Sequence, residues 1–339
     1  MVNTSARPAI LVTGGAGYIG SHCAKALHEA GYLPVCYDNL SSGRADFVKW
    51  GPLVTGDLAD TQKLAACIDE FKMRGVVHFA AASDVRESMS NPEKYHLNNT
   101  AGTASLLQAM KQNGCDKIVF SSTAAVYGNK YAEPISETWD CEPINPYGES
   151  KLAAEKLIAD YRAAHGIKAF CFRYFNVAGA DPAGELGEAR QIETHLIPRA
   201  IMAAKGQLPE FSIFGTDYDT PDGTAVRDYI HVVDLAVAHV SALAALLKGS
   251  AGGTYNLGTG TGFSVKQVLS ALAEVIGRDV PHKLFPRRLG DPAILVADPS
   301  AARRDLAFDA RLSDIKTMVE TAWDWAVSLD RSASLMPAD

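Results

Sequence analysis

A phenol and an ammonium group stand four residues apart in the segment that runs from Tyr147 to Lys151, directly after Asn145 and Pro146. If a helix begins here, both side chains project from one face and can act on one substrate. Tyrosine serves as a base near neutral pH only when its pKa of about 10 is lowered, and a neighbouring ammonium lowers it by favouring the phenolate. Such a pair alone is usually solvated helix surface, so its role depends on the residues that accompany it.

The composition is that of an ordinary globular protein. The chain has 339 residues, 47% hydrophobic and 21% charged, which is enough for two domains. A net charge of −7 argues against nucleic acid as a partner, although local cations could still bind an anionic small molecule. No apolar stretch approaches a membrane span and the N-terminal stretch is no secretory signal, so we expect no membrane partner and a cytoplasmic location.

The cysteines have neither zinc-site spacing nor the spacing of a redox pair. We therefore expect buried free thiols, no bound metal and a reducing compartment. The six positions are Cys23, Cys36, Cys67, Cys115, Cys141 and Cys171.

Apolar runs of strand length alternate with helical patterns in the first half of the chain. This alternation predicts βαβ units and a Rossmann-type, doubly wound parallel sheet. After about residue 178 the pattern turns irregular, which predicts a smaller C-terminal domain over 179–339 that contributes loops rather than a second sheet, with 230–260 returning to the domain over 1–178. The predicted strands are 9–13, 34–38, 75–80, 116–121 and 168–175; the predicted helices are 18–30, 60–73, 92–112, 147–165, 232–248, 264–277 and 313–328.

Gly14, Gly17 and Gly20 follow the first predicted strand at the spacing of a dinucleotide-binding turn. Glycines there permit a tight turn, close approach to a pyrophosphate and close packing of helix on strand. The helix that begins near Tyr18 and Ile19 would aim backbone N–H groups at the phosphates. A glycine-rich turn without a ligand is the alternative, but the strand before it and the helix after it favour the dinucleotide.

A carboxylate ends the second predicted strand at Asp38, eighteen residues past Gly20. It can accept hydrogen bonds from ribose hydroxyls and would repel a 2′-phosphate, which favours NAD over NADP. Asp57 and Leu58 lie between the predicted strands 34–38 and 75–80, where the carboxylate could reach the adenine amino group. A plain turn or N-cap role for Asp57 fits the sequence equally well.

Hydroxyl side chains stand at the end of the predicted strand 116–121, at the edge where α/β sheets bind ligands. Thr123 stands there, 24 residues before Tyr147. Hydroxyl, phenol and ammonium, in order after a dinucleotide turn, predict a catalytic triad beside a nicotinamide site.

Taken together, these motifs resemble the extended short-chain dehydrogenase/reductase superfamily and, within it, the UDP-glucose 4-epimerase family. The resemblance covers nearly the whole chain, and the segment 222–232 is its most epimerase-like part. The other matching segments are 14–20, 38–40, 78–81, 98–99, 121–128, 145–151, 174–176 and 287–291.

The resemblance implies an NAD-dependent isomerase that oxidises C4 of a UDP-hexose and returns the hydride to the other face of the 4-keto sugar. Tyr147 would be base and then acid at O4, Lys151 would assist it, and Thr123 would hydrogen-bond O4. Residues 1–178 would form the NAD-binding domain and 179–339 the UDP-sugar-binding domain. The NAD contacts would be Gly14, Gly17, Tyr18, Ile19, Gly20, Asp38, Asn39, Asp57, Leu58, Phe79, Ala80, Ala81, Asn98 and Lys151.

Cations should hold the diphosphate of such a substrate. Arg227 and Arg288 match the family's phosphate-binding arginines, and a planar guanidinium suits that geometry, although each could be a surface arginine by composition alone. The resemblance also places Asn176, His195 and Asp291 at the substrate, with a helix cap as the alternative for His195. The family is usually dimeric, which predicts a homodimer through helices 92–112 and 147–165; their small residues also suit packing on the chain's own sheet.

Two positions depart from the family pattern. Ser83 stands where the best-studied epimerases have a lysine that reaches NAD, which affects cofactor retention. Leu295 stands beside the sugar's C2 substituent and disfavours an N-acetyl group, although pocket size discriminates by only about 1–3 kcal/mol. UDP-xylose/UDP-arabinose interconversion therefore stays open beside UDP-glucose and UDP-galactose.

Three rival functions fit less well. A 4,6-dehydratase needs carboxylates directly after the threonine, where Ala124 and Ala125 stand. An NADP-dependent reductase is disfavoured by Asp38. A non-catalytic NAD-binding regulator would usually have lost Tyr147 or Lys151, and both are present.

Overall fold

The computed structural model describes residues 7–129, 134–288 and 291–334. Within these ranges the chain forms two compact units. Unit 1 comprises Met1–Gly128, Asp140–Arg173 and Ala236–Tyr255, and unit 2 comprises Asn129–Trp139, Tyr174–Leu235 and Asn256–Asp339. The assignment of 1–178 to NAD and 179–339 to the UDP-sugar stays a prediction.

The strands and helices are numbered in chain order. The strands are β1 Ala9–Thr13, β2 Leu33–Asp38, β3 Leu53–Thr55, β4 Gly75–His78, β5 Lys117–Thr123, β6 Lys168–Tyr174, β7 Asn176–Ala178, β8 Phe211–Phe214, β9 Val226–His231, β10 Gly252–Leu257, β11 Gly262–Ser264, β12 His282–Phe285 and β13 Ile294–Leu295. The α-helices are α1 Tyr18–Glu29, α2 Thr61–Glu70, α3 Val85–Ser90, α4 Pro92–Tyr95, α5 Gly102–Gln112, α6 Pro146–His165, α7 Leu196–Ala204, α8 Val232–Leu247, α9 Val265–Ile276, α10 Ser300–Leu306 and α11 Ile315–Ser334.

Unit 1 is built on a sheet in the order β10-β6-β5-β4-β1-β2-β3. The central strand β1 pairs in parallel with β2 and with β4, so that Leu11 lies opposite both Val35 and Val76. These side chains are fully buried, as expected for a parallel sheet covered on both faces. The Rossmann-type fold class is thus confirmed. Because the strands are parallel, the ends of β1, β2, β4 and β5 lie at one edge, and the candidate side chains follow them.

The predicted helix 92–112 is not continuous. It begins as α4, widens into a π-helix over His96–Ala101 and resumes as α5. Single π-turns inside α-helices are rare and occur often at functional sites. The hydrophobic spacing of the sequence did not reveal this interruption.

Unit 2 corrects the expectation of loops without a further sheet. Within its described residues, β9 pairs with β7, β11 and β13, and β8 pairs in parallel with β12. The sequence missed these sheets because β7, β11 and β13 have only two or three residues, too few for an alternating pattern. The helices α7, α9 and α11 bury Ile201, Leu272 and Val319 in the core of this unit. Over the described parts of both units, none of the helices combines the length and apolarity needed to cross a bilayer.

Candidate active site

The turn between β1 and α1 has the geometry that its glycines predict. Gly14 has a φ of 70°, and its N–H donates to the Tyr37 carbonyl at 2.9 Å. A Cβ on Gly14 would lie 2.6 Å from the Ala80 nitrogen, and a Cβ on Gly20 only 2.1 Å from the Gly14 carbonyl oxygen. The residue that precedes α1, Gly17, has no side chain to cap the helix, so the first N–H groups of α1 can bind an anion. The turn therefore forms the concave backbone cradle that the predicted pyrophosphate site would need.

Asp38 fixes the next part of this cradle. Its carboxylate is 8% exposed and accepts hydrogen bonds from the N–H groups of Ala16 at 3.0 Å and Leu40 at 2.8 Å. A carboxylate has about four acceptor positions, so two stay available for ribose hydroxyls. The structure thus supports the predicted preference for NAD, although the contact itself stays a prediction.

The structure brings Asn39 and Asp57 together at the surface. The Asn39 amide donates to Asp57 Oδ2 at 2.8 Å, while Asp57 Oδ1 accepts from the Ala59 N–H at 2.9 Å. Asp57 is thus a turn residue, and Asp60 rather than Asp57 caps α2. Leu58 beside it is buried in the unit 1 core.

A buried amide holds the loop that follows β4. Asn99, next to the predicted contact Asn98, donates to the Ala82 carbonyl at 3.0 Å and to Ser150 Oγ at 3.0 Å, and it accepts from the Ala82 N–H at 2.8 Å. Asn98 is half-buried and donates to Asn99 Oδ1 at 2.9 Å. The main chain at Phe79 and Ala80 in turn donates to the Thr13 carbonyl. Asn99 therefore ties the loop to α6, a role that sequence reasoning missed.

His78 was also missed as part of this edge. It is 1% exposed; its Nδ1 lies 2.6 Å from Thr13 Oγ1, and its Nε2 lies 3.0 Å from Thr103 Oγ1. The Thr103 hydroxyl donates to the Asn99 carbonyl at 2.6 Å, so Nε2 must carry the proton that it gives to Thr103. Burial, together with Lys151, lowers the pKa of His78 to about 3. His78 is therefore a neutral structural link below the dinucleotide turn.

The predicted triad lies on β5 and α6. Thr123 ends β5, and its Oγ1 accepts from the Ala125 N–H at 3.1 Å. Asn145 caps α6 by accepting from the Gly148 N–H at 2.8 Å, and Pro146 takes the first helical position, so Tyr147 and Lys151 project from the first turns of one helix.

The ring of Tyr147 is half-buried and meets the ring of Tyr95 edge-on, with the centroids 6.3 Å apart. Tyr95 is fully buried, and its hydroxyl donates to the Asp84 carbonyl at 2.5 Å and to Glu87 at 3.0 Å. A fixed aromatic edge of this kind restricts the orientation of the Tyr147 ring.

Lys151 is a buried cation. Its side chain is 3% exposed, and Nζ donates to the Ser121 carbonyl at 2.8 Å and lies 4.8 Å from the centroid of the Phe120 ring. Burial lowers the pKa of Lys151 from 10.5 to about 7, while Glu155 opposes that shift. Burial thus brings the pKa of Lys151 close to neutral pH, a perturbation of the kind that marks functional sites.

The predicted cations lie in unit 2. Arg227 donates to the Val226 carbonyl at 2.7 Å and forms an ion pair with Asp291. Arg288 is exposed, and its guanidinium lies 3.8 Å from the centroid of the Phe214 ring. Sequence reasoning missed Phe214, which lies 74 positions away; the aromatic end of the short apolar run 211–214 is its only signal. Leu289 and Gly290 of the same motif lie outside the described residues.

The other predicted substrate contacts lie at strand and helix ends of unit 2. Asn176 on β7 donates to the Asp228 carbonyl at 3.1 Å, and Leu295 pairs with Arg227 across β13 and β9. His195 precedes α7 but makes no capping hydrogen bond through its side chain. Its Nδ1 lies 2.6 Å from Glu188 Oε1; burial alone would lower the pKa of His195, yet Glu188 raises it above its ordinary value. The prediction of no bound metal stays a prediction.

Comparisons with known proteins agree with this arrangement. The NAD dependent epimerase/dehydratase family matches residues 10–258. UDP-glucose 4-epimerase of Rhizobium meliloti (strain 1021) is 48% identical over 316 residues, which are 93% of this chain and 96% of that protein. UDP-glucose 4-epimerase from Brucella ovis, solved in complex with NAD, has a TM-score of 0.92 and 47% identity over 94% of this chain and 98% of that one.

A further solved structure carries a nucleotide sugar. UDP-glucose-4-epimerase from Stenotrophomonas maltophila, with bound NAD and formylated UDP-arabinopyranose, has a TM-score of 0.92 and 39% identity over 96% of this chain and 99% of that one. The family match over most of the chain and the identities near one half lead to one conclusion: the chain belongs to the NAD dependent epimerase/dehydratase family.

Proposed function

We propose that this chain catalyses the reversible 4-epimerisation of UDP-glucose and UDP-galactose through a transient 4-keto sugar, with NAD as its cofactor. One observation carries the proposal: Tyr147 and Lys151 lie on one helix, and the buried ammonium of Lys151 donates to the Ser121 carbonyl near the end of β5. NAD supplies the group that accepts a hydride from C4 and returns it. The Gly14 turn and Asp38 would hold its pyrophosphate and ribose.

Side chains of unit 1 carry out proton transfer at O4. Tyr147 takes the O4 proton during oxidation and returns it during reduction, and the ammonium of Lys151 favours the phenolate that this requires. Thr123 hydrogen-bonds O4 and orients it for transfer. The remaining predicted NAD contacts would be Tyr18, Ile19, Asn39, Asp57, Leu58, Phe79, Ala80, Ala81 and Asn98.

Side chains of unit 2 bind the UDP moiety. Arg227 and Arg288 would bind the diphosphate, since a guanidinium offers paired donors to phosphate oxygens. Asp291 keeps Arg227 oriented through their ion pair. The Phe214 ring supports the Arg288 guanidinium from one face, and Asn176 and His195 would contribute polar contacts.

The test is a product assay. Incubation with UDP-glucose, UDP-xylose and UDP-GlcNAc in separate reactions, followed by chromatographic resolution of the sugars, should give UDP-galactose from the first. Tyr147→Phe should lower kcat by about 10²- to 10⁴-fold with NAD content unchanged, because it removes the acid–base group. Tyr161→Phe, which deletes a hydroxyl elsewhere on α6, is the matched control. Full epimerisation by Tyr147→Phe contradicts the mechanism.

A second substrate class is supported by one observation. The Stenotrophomonas enzyme binds formylated UDP-arabinopyranose. The predicted place of Leu295 beside the sugar's C2 substituent would likewise disfavour a bulky group there. Faster turnover of UDP-xylose than of UDP-glucose would establish a UDP-pentose 4-epimerase. A protein that binds NAD yet leaves every UDP-sugar unchanged would instead be a regulator.

The quaternary state and location are part of the proposal. We infer a homodimer through the segment 92–112 and α6, because Leu97 is 69% exposed on the π-helix that packs against α6. Analytical sedimentation tests this dimer. The native protein should have twice the 36.2 kDa chain mass, Leu97→Glu should have the mass of one chain, and the control Ile192→Glu should keep the mass of two. A cytoplasmic location is supported by the six cysteines, all free thiols in the described structure; fluorescence microscopy of a tagged chain tests it.

A further inference from the structure

A buried polar network involves β5, the strand that ends at Thr123, and has no part in the chemistry proposed for the active site. Its members are Ser122 on β5, Tyr127 in the short helix after β5, Glu155 on α6 and Arg173 on β6, and each is 8% exposed or less. Burying a carboxylate and a guanidinium is costly unless both are fully paired. The network therefore calls for a reason beyond stability.

Both oxygens of the Glu155 carboxylate are occupied by fixed donors. Arg173 forms a fork, with Nε 3.0 Å from Oε1 and Nη2 2.6 Å from Oε2. Ser122 donates to Oε1 as well, and the remaining arm of Arg173 donates to the Tyr127 hydroxyl at 3.0 Å. Three fixed donors, two from Arg173 and one from Ser122, thus hold the carboxylate in this orientation.

Lys151 is the cation that Glu155 faces along α6. The two residues are four apart on the helix, which places their Cβ atoms about 5–6 Å from each other. Lys151 nevertheless bonds the Ser121 carbonyl rather than Glu155, and Ser121 is the neighbour of the Ser122 that grips the carboxylate. Strand β5 therefore holds the ammonium with one residue and its counter-charge with the next.

The other groups around Lys151 do not supply a counter-charge. His78 on β4 is neutral, Tyr147 is the group that Lys151 serves, and Phe120 contributes a ring face. On the elements packed against α6, Glu87 pairs with Lys94 at 2.6 Å, and His96 lies 3.9 Å from Glu149. Of the remaining charged side chains on those elements, Arg86, Glu93 and Lys111 are exposed, and Lys117 on β5 forms an ion pair with Asp116.

We propose that Glu155 and Arg173 are positioning residues for Lys151: the fork keeps the Glu155 carboxylate one helical turn away, where it stabilises the ammonium without pulling it from Ser121. This inference rests on the proposed function only for its effect on catalysis. The charge relation between Glu155 and Lys151 holds whatever the substrate.

The sign of each effect follows from the charges. Removing Glu155 takes away the negative charge that favours the ammonium, so the pKa of Lys151 falls further. The variant then loses the Lys151 proton at lower pH, and the basic limb of kcat moves to lower pH. Glu155→Gln leaves Arg173 buried without a counter-charge, which is destabilising. The double variant Glu155→Gln/Arg173→Met removes both charges and keeps similar side-chain volumes. It therefore tests the loss of the Glu155 charge without an unpaired buried guanidinium that could unfold the protein.

The experiment titrates Lys151 directly in the full-length protein. Carbon NMR of lysine labelled at Cε, with the Lys151 signal assigned by its loss in Lys151→Met, gives the midpoint without any sugar substrate. We expect a downward shift of about 1 pH unit in Glu155→Gln and a smaller one in the double variant, because an opposite charge at this distance contributes about 1–3 units. Glu155→Asp, which keeps the charge, should restore most of the midpoint.

A parallel pH profile of kcat, at equal NAD content, should show the same displacement with KM for the sugar unchanged. An unchanged Lys151 midpoint in both the single and the double variant overturns the proposal, even if activity falls. A shifted midpoint in a protein without epimerase activity would support the positioning role and reject the proposed function.

Discussion

Lys151 and Arg288 are both cations that lie over an aromatic ring and are assigned to an anionic group, the Tyr147 phenolate and the diphosphate, yet their burial differs sharply. Lys151 is 3% exposed, donates to a backbone carbonyl and has a pKa that burial lowers to about 7. Arg288 is exposed and rests on the face of an aromatic ring. Burial makes the charge of a lysine adjustable, whereas a guanidinium stays charged at any physiological pH. The first environment suits proton chemistry and the second suits anchoring.

The largest expected effect comes from Lys151→Met. The variant keeps most of the length of the side chain but removes the charge that favours the Tyr147 phenolate, so kcat should fall by about 10²- to 10⁴-fold. Steady-state kinetics across pH 6–10 measure this. Lys117→Met, which removes a lysine charge on strand β5, is the matched control. A kcat of Lys151→Met within twofold of the native value would contradict a role for Lys151 in proton chemistry and so remove its functional difference from Arg288.

A smaller effect is expected from Arg288→Ala, and it should appear in KM. Losing a charge-assisted bond to phosphate costs about 1.5–3 kcal/mol, or roughly 10- to 100-fold in KM, with kcat nearly unchanged. The neighbour Arg287, which pairs with Asp217 at 2.6 Å, is the control, and its alanine variant should have a native KM. If the Arg287 variant is the weaker binder, the diphosphate role belongs to Arg287 instead.

The smallest effect concerns stability and pH. Because folding lowers the pKa of Lys151 from 10.5 to about 7, the unfolded chain holds more protons between these values. The free energy of unfolding contributed by this position should therefore rise with pH above 7, by at most about 1.4 kcal/mol per pH unit. Denaturant titrations of native protein and Lys151→Met, at matched NAD content, should diverge in this direction. Parallel curves would mean that Lys151 keeps an ordinary pKa.

The sequence was sufficient where function depends on local spacing. The turn at Gly14 and the pair Tyr147 and Lys151 are each defined within a few residues, so strand and helix periodicity place them correctly. Sequence reasoning was insufficient where partners come from separate elements. Glu155 and Arg173 are 18 residues apart, and nothing in the intervening residues predicts that helix and strand place them in one fork.

Short elements explain the remaining differences. The strands of unit 2 are too brief for an alternating pattern, so the sheet that carries Arg227 was expected to be loop. Asn98 was assigned to the cofactor while Asn99 beside it makes the structural bonds, since adjacent residues of the same type cannot be told apart without the helix phase. The π-helix sets that phase.

The π-helix over His96–Ala101 is also a record of one surplus residue. The wider i→i+5 turns of a π-helix take up that residue, so Tyr95 before the segment and Leu106 after it are both buried. Deleting one position here should therefore restore a regular α-helix and leave Leu106, Leu107 and Met110 in the core, whereas the same deletion within α5 would rotate the residues after it by about 100°. In terms of mutational tolerance, this segment should accept a change of length that α5 does not, while the side-chain bonds of Asn99 restrict substitution at that position.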